Sequence, residues 1–215
     1  KIEYMKTIVA KNSVYEQKLN ENEAASSSTE VSAIDTAEAW NDERRIEAVC
    51  KNIIQNFKAK TVNKNYNAIL ATSGVESLIK YYDTIKRLNP DFTFAAVFTY
   101  DVNEDAESKE ETSQDAMARI IDDYNAKFGT SFKTDTFAEY NKDLSKKFKA
   151  NKINLLIVVR MYLTGYNSKI LNTLYVDKNL VYQDLLQSYS RTNRTEKSTK
   201  KFGNIVCYRN LKYNT

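Results

Sequence analysis

Residues 153–159 carry one polar side chain, Asn154, in seven positions, and β-branched residues dominate the rest. A run of this kind suits a strand covered on both faces, and it predicts a central strand of a parallel sheet. Comparable runs at 66–71, 92–100 and 171–176 predict further strands, and residues 2–10 suit a short lead-in strand. Between them the spacing of apolar residues changes to that of a helix. Ile46, Val49, Cys50, Ile53, Ile54 and Phe57 form one stripe, with Asp42 placed to cap it. Val75, Leu78, Ile79, Tyr82 and Ile85 form a second, which Pro90 ends, and Ala116, Ile120, Tyr124 and Phe128 a third within a helix over 113–127. Phe137, Tyr140, Leu144 and Phe148 mark a fourth helix, and an amphipathic segment carrying Gln187, Arg191 and Arg194 a fifth. The period of these aromatic stripes matches burial, so they read as core rather than as base-stacking platforms. Strands alternating with helices in this order are α/β grammar.

Residues 11–34 break the pattern. They are rich in Asn, Glu, Ala and Ser, cannot bury much, and read as a mobile linker, which sets a boundary near Trp40 between residues 1–40 and a domain over 41–215. That length supports one sizeable core. There is no signal pattern and no apolar run near the span of a membrane, so the chain reads as a cytosolic fragment.

Composition then removes whole classes of chemistry. The chain has no histidine, which excludes Ser-His-Asp and Cys-His catalysis and His-ligated zinc. Its two cysteines, Cys50 and Cys207, read as reduced and buried. Its four glycines, Gly74, Gly129, Gly165 and Gly203, are too scattered for a phosphate-cradling P-loop or a dinucleotide fingerprint, so any ATP site must be completed by another domain. Net charge is only +4, but it is segregated: residues 101–111 hold six acids and one lysine, residues 191–201 five bases and one acid. That asymmetry suggests a basic face turned to an anion and an acidic loop turned away, or simply two solvated faces.

Candidate chemistry lies where the apolar runs stop, because ligands in open α/β sheets bind beyond the carboxyl ends of the strands. Residues 164–167 (Thr-Gly-Tyr-Asn) and the pair Arg191 and Arg194 occupy such places. Two arginines three apart on a helix share a face and offer rigid donor forks to phosphate, although a solvated basic helix end has the same spacing. The Thr72-Ser73-Gly74 turn opens a helix whose first amides suit a phosphate, or is a plain turn.

The runs LIVV (156–159), MYLTGYN (161–167), LNTLYVDK (171–178) and QSYSRTNR (187–194) together resemble the second motor domain of the R subunit of type I restriction-modification enzymes, which are superfamily 2 DNA translocases. LTGYN is similar to that family's motif V, QSYSRTNR to its motif VI, Thr72-Ser73-Gly74 to its motif IV, and residues 201–210 to the strand that follows. From residue 66 the element order then fits a RecA-like lobe, a mostly parallel sheet flanked by helices. Three positions depart from the family pattern. Asn167 stands where Asp is usual, keeping size and hydrogen bonding but not charge; Gln183 replaces His; Arg160 replaces Gly, Asn or Asp.

The resemblance implies an ATP-dependent enzyme, part of a type I restriction endonuclease, in which two lobes face each other across ATP and Mg2+. The first lobe, which is not in this chain, would supply the P-loop and the metal-binding acid. This lobe would supply Arg194 as a finger, Arg191 beside it on phosphate, and Gln187, Asn167 and Gly165 at the nucleotide. Ser73, Thr164 and Gly165 would touch the backbone of double-stranded DNA. Methyltransferase and specificity subunits would be partners, with no membrane. A lobe of another superfamily 2 helicase, acting on DNA or RNA, and a non-enzymatic phosphate- or DNA-binding α/β module are the alternatives.

Overall fold

A computed structural model of the chain describes residues 2–4, 40–99, 113–163, 165–179, 183–192, 200 and 202–209. The linker over 11–34, the acidic loop over 101–111, Thr164 and Arg194 lie outside the described residues.

Six strands form one sheet: β1 (Ile2–Tyr4), β2 (Asn67–Thr72), β3 (Phe94–Val97), β4 (Leu155–Val158), β5 (Leu171–Asp177) and β6 (Asn204–Cys207). Their order is β1-β6-β5-β2-β4-β3, and every neighbouring pair is parallel. The helices are α1 (Glu43–Lys60), α2 (Val75–Leu88), α3 (Ser113–Phe128), α4 (Phe137–Lys149) and α5 (Gln183–Thr192). The expected α/β lobe with a parallel sheet flanked by helices is therefore what forms.

Each apolar run becomes a strand, but the ends move where a polar side chain or a ring takes over. The run at 153–159 forms a strand over Leu155–Val158, and Asn154 fixes the entry to it: its Oδ1 accepts from the Thr93 amide (3.1 Å), its main-chain amide donates to the Thr93 carbonyl and its main-chain carbonyl accepts from the Ala68 amide (2.8 Å each). It is also not the middle of the sheet. β4 is one place in from the edge strand β3, and β2 and β5 hold the centre. An apolar run reports cover on both faces, which every interior strand has, so it cannot report position. The run at 92–100 shortens to four residues since Phe92 stacks on Phe57 of α1 (3.9 Å between ring centroids) instead of pairing.

The stripes pack inward as spaced. Ile46, Val49, Cys50, Ile53 and Phe57 are buried on α1, and Tyr140, Leu144 and Phe148 on α4. Asp42 caps α1 by accepting from the Arg45 amide (3.1 Å). Both cysteines are free and buried, and burial pushes both thiols above their ordinary pKa.

One charged cluster locks the carboxyl end of the sheet. Asp177, last residue of β5, is 0% exposed. Arg45 of α1 grips it through Nη1 (2.9 Å) and Nη2 (2.5 Å), Arg209 through Nε (3.2 Å), and the Tyr81 hydroxyl donates to it (2.7 Å). Burial alone would raise the Asp177 pKa, but hydrogen bonding and charge from Arg45, then Tyr81 and Arg209, hold it below the usual carboxylate range. The Trp40 ring lies against both guanidinium groups, 4.6 Å from Arg45 and 4.4 Å from Arg209. The next residue, Lys178, reaches the other way and donates to the Val159 carbonyl (2.8 Å), at the start of the β4–β5 connection.

Candidate functional site

All strands being parallel, their carboxyl ends share one edge, and two connections carry candidate residues out of it. The first is the turn from β2 into α2. Thr72 Oγ1 donates to the Val158 carbonyl (3.2 Å), pinning the turn to β4, and Ser73 is exposed. Gly74 occupies the cap position and no side chain caps the helix, so the first amides of α2 lack that competitor. Glu76 in the first turn opposes an anion there, but its carboxylate is engaged by Lys80 (2.7 Å).

The second is the connection from β4 to β5, residues 159–170, which contains no helix or strand among its described residues. Two residues in left-handed conformation shape it. Gly165 has φ +70° and open space where a Cβ would stand, so glycine serves backbone geometry rather than clearance. Tyr162 has φ +67°, which is costly for a bulky side chain. Its hydroxyl donates to Asn141 Oδ1 on α4 (2.6 Å), and its ring packs on Tyr166 (4.9 Å). Burial raises the Tyr162 pKa to about 12, so this donor keeps its proton at neutral pH. Tyr166 in turn stacks on Phe148 (5.6 Å).

The helix α5 holds the same connection through its arginine. Arg191, half-buried, donates from Nε to the Leu163 carbonyl (3.3 Å) and from Nη1 to the Tyr166 carbonyl (3.4 Å). The arginine read as a phosphate ligand thus spans the stretch that contains Gly165 and joins it to α5. Gln187, exposed, is one turn earlier on that helix, on the same side as Arg191. The helix ends at Thr192, so a face shared by Arg191 and Arg194 falls outside the described residues. Asn167 is exposed and, with Met161, Tyr162, Gly165 and Tyr166, forms one wall of an open groove of about 870 Å³ whose other wall is α4. The structure therefore gathers Gly165, Asn167 and Arg191 around one connection, with Ser73 on the separate turn after β2.

Two features escaped the sequence reading. The Asp177 cluster joins residues far apart in the chain, and its only sequence signal is an acid ending an otherwise buried strand. On α4 the apolar stripe is legible, while the lysines on the side facing the groove carry no periodic signal that sets them apart from an ordinary solvated face. Among the described residues no group of His, Cys, Asp or Glu could hold a metal, and no helix is long and apolar enough to cross a membrane.

The sequence pattern of the family described as type I restriction enzyme subunit R domain 3 matches residues 64–210. An endonuclease subunit of a type I restriction enzyme of Staphylococcus aureus (strain COL) is 49% identical over 195 residues, covering 86% of this chain and 21% of that protein. A counterpart from Staphylococcus saprophyticus is 44% identical over 196 residues, with the same two coverages. The chain thus spans about a fifth of the length of the curated relatives it matches. Among solved structures, T4 UvsW is similar over 96% of this chain and 31% of its own, at TM-score 0.47 and 13% identity.

Proposed function

Because this chain belongs to the type I restriction enzyme subunit R domain 3 family, we propose that it is the second motor lobe of an ATP-driven double-stranded DNA translocase within a restriction endonuclease R subunit. The observation that supports this reading most is the grip of Arg191 on the Leu163 and Tyr166 carbonyls, since it couples the helix read as nucleotide-facing to the connection read as DNA-facing. Residues 41–215 act as the lobe and residues 1–40 as its lead-in. The intact subunit works in the cytoplasm with methyltransferase and specificity subunits, which read the DNA sequence.

The donor set suits one wall of a triphosphate site rather than a whole one. It offers guanidinium and amide donors and, among the described residues, no cluster of three or more His, Cys, Asp or Glu side chains placed to hold a metal ion. ATP and Mg2+ are held mainly by the first lobe, and bound there they provide the phosphoryl group whose loss drives motion. From this chain, Arg194 stabilises charge developing on phosphoryl oxygens, Arg191 lies beside it, and Gln187, Asn167 and Gly165 contact the nucleotide. Ser73, Thr164 and Gly165 contact the DNA backbone. Contacts blind to sequence suit a translocase.

The isolated chain is expected to hydrolyse no ATP above background, having no P-loop lysine. Robust Mg2+-dependent hydrolysis by the purified chain that survives loss of both Arg191 and Arg194 would refute the two-lobe reading. In the intact subunit, Thr164→Ala is expected to uncouple ATP turnover from movement, lowering base pairs travelled per ATP in a triplex-displacement assay. Unchanged travel per ATP would remove Thr164 from the DNA contact.

A further inference from the structure

The side of α4 that faces the groove is basic. Ala138, Asn141, Lys142, Ser145, Lys146 and Lys149 form this wall, at spacings that place them along one side of the helix. All three lysines are exposed, none forms a salt bridge with a described carboxylate, and no Asp or Glu lines the groove. Lys147, by contrast, turns away, where Asp143 engages it and it lies over the Tyr124 ring (5.4 Å). The helix dipole favours cations in the last turn and so accounts for Lys146 and Lys149. It does not account for Lys142, a full turn earlier, nor for the small and amide side chains of Ala138, Asn141 and Ser145 that share this wall with the lysines. Across the groove stand Gly165, with no side chain, and the amide of Asn167, with Lys149 Nζ 5.6 Å from the Tyr166 ring.

We propose that this groove is a sequence-independent binding site for the phosphodiester backbone of one strand of duplex DNA, with Lys142, Lys146 and Lys149 as its cationic contacts. The proposal rests on the motor-lobe reading and adds α4 to it as a second DNA-contacting element beside Gly165. Dimensions agree. Seven residues of helix rise about 10 Å, and one DNA strand advances about 3.4 Å per nucleotide along the duplex axis, so the three ammonium groups span about three nucleotide steps. Lysine suits the task, since a point charge on a flexible stem follows a sliding backbone where a bidentate fork would hold it. Tyr162, strained but tied to Asn141, fixes the spacing of the two walls.

The test is the salt dependence of binding to random-sequence duplex by the intact subunit, followed by fluorescence anisotropy. Each phosphate contact contributes about 0.9 to the slope of log K against log salt. Lys142→Ala/Lys146→Ala/Lys149→Ala is expected to lower that slope by about 2 to 3, and Lys→Arg at all three positions to restore it. A control variant, Lys51→Ala/Lys58→Ala/Lys86→Ala, removes equal charge from lysines already paired with Glu47, Asp91 and Asp123 and should leave the slope in place. An unchanged slope in the first variant, or an equal drop in the control, overturns the groove assignment while leaving the motor reading standing. Wild-type subunit with no salt-sensitive duplex binding overturns both. Loss in the first variant of inorganic phosphate binding, with the duplex slope intact, would assign the groove to a small phosphate ligand and also overturns the proposal.

Discussion

In the intact R subunit, Arg194→Lys is expected to cut DNA-stimulated ATP hydrolysis by about 10³ to 10⁵, the range an arginine finger supplies in related phosphoryl transfer. Translocation should fall with it, while ATP binding and DNA affinity change little. The substitution keeps the charge and removes the planar fork, and it is the fork that matches phosphoryl oxygens bidentately. If Arg194 were an ordinary DNA-backbone contact, lysine would serve nearly as well as a point charge. Any loss would then appear as weaker, more salt-sensitive DNA binding. ATPase rate and duplex affinity measured on one preparation separate the two. A near-normal rate sinks the finger assignment and favours a passive phosphate-binding module.

The largest expected effect on stability is at Asp177. Asp177→Asn leaves the Arg45 and Arg209 guanidinium groups in a buried site without their counter-charge, a change that costs about 3–5 kcal/mol. A domain is typically stable by about 5–15 kcal/mol, so the variant should unfold at far lower urea concentration and lose soluble yield. The pH dependence has a definite sign. The carboxyl of Asp177 is held below its ordinary range in the fold, so its contribution is complete above the unfolded pKa of about 3.9 and is lost as pH falls through the folded value. Wild-type stability should therefore decline in mild to strong acid by more than that of Asp177→Asn. Parallel declines in the two proteins, followed by urea midpoints across that window, would show that Asp177 is not the linked group.

The strands were legible in the sequence because a parallel sheet buries both faces and leaves runs with few polar positions: β4 is apolar throughout, and β5 is broken within only by Asn172 and Thr173, whose side chains donate to the Lys60 carbonyl (2.7 and 2.9 Å). The helices were legible because their stripes keep the helical period, and Asp42 signals where α1 begins. What could not be read is what depends on partners distant in the chain. The place of β4 beside β3 follows from the pairing of whole strands, and the Asp177 cluster assembles residues from α1, α2, β5 and the segment after β6. Within the candidate site, the left-handed turn at Gly165 was signalled by glycine itself, whereas that at Tyr162 gives no such signal and survives through Asn141. Arg191 was identified by its chemistry, but its partners in the structure are main-chain carbonyls, which no side-chain pattern reveals.

Trp40 gives the chain a built-in optical probe. It is the single tryptophan among fifteen tyrosines, so light absorbed at the red edge of the aromatic band excites one indole in one place. That indole lies against the two guanidinium groups that hold Asp177, and the main-chain carbonyl of Trp40 accepts from Arg45 Nη1 (3.0 Å). Indole emission responds to nearby charge, so its colour and intensity report how tightly the start of α1 is fastened to the end of the sheet. Loosening there shifts the fluorescence while helix content, read by circular dichroism, holds steady, which separates local release of this edge from global unfolding without an attached label.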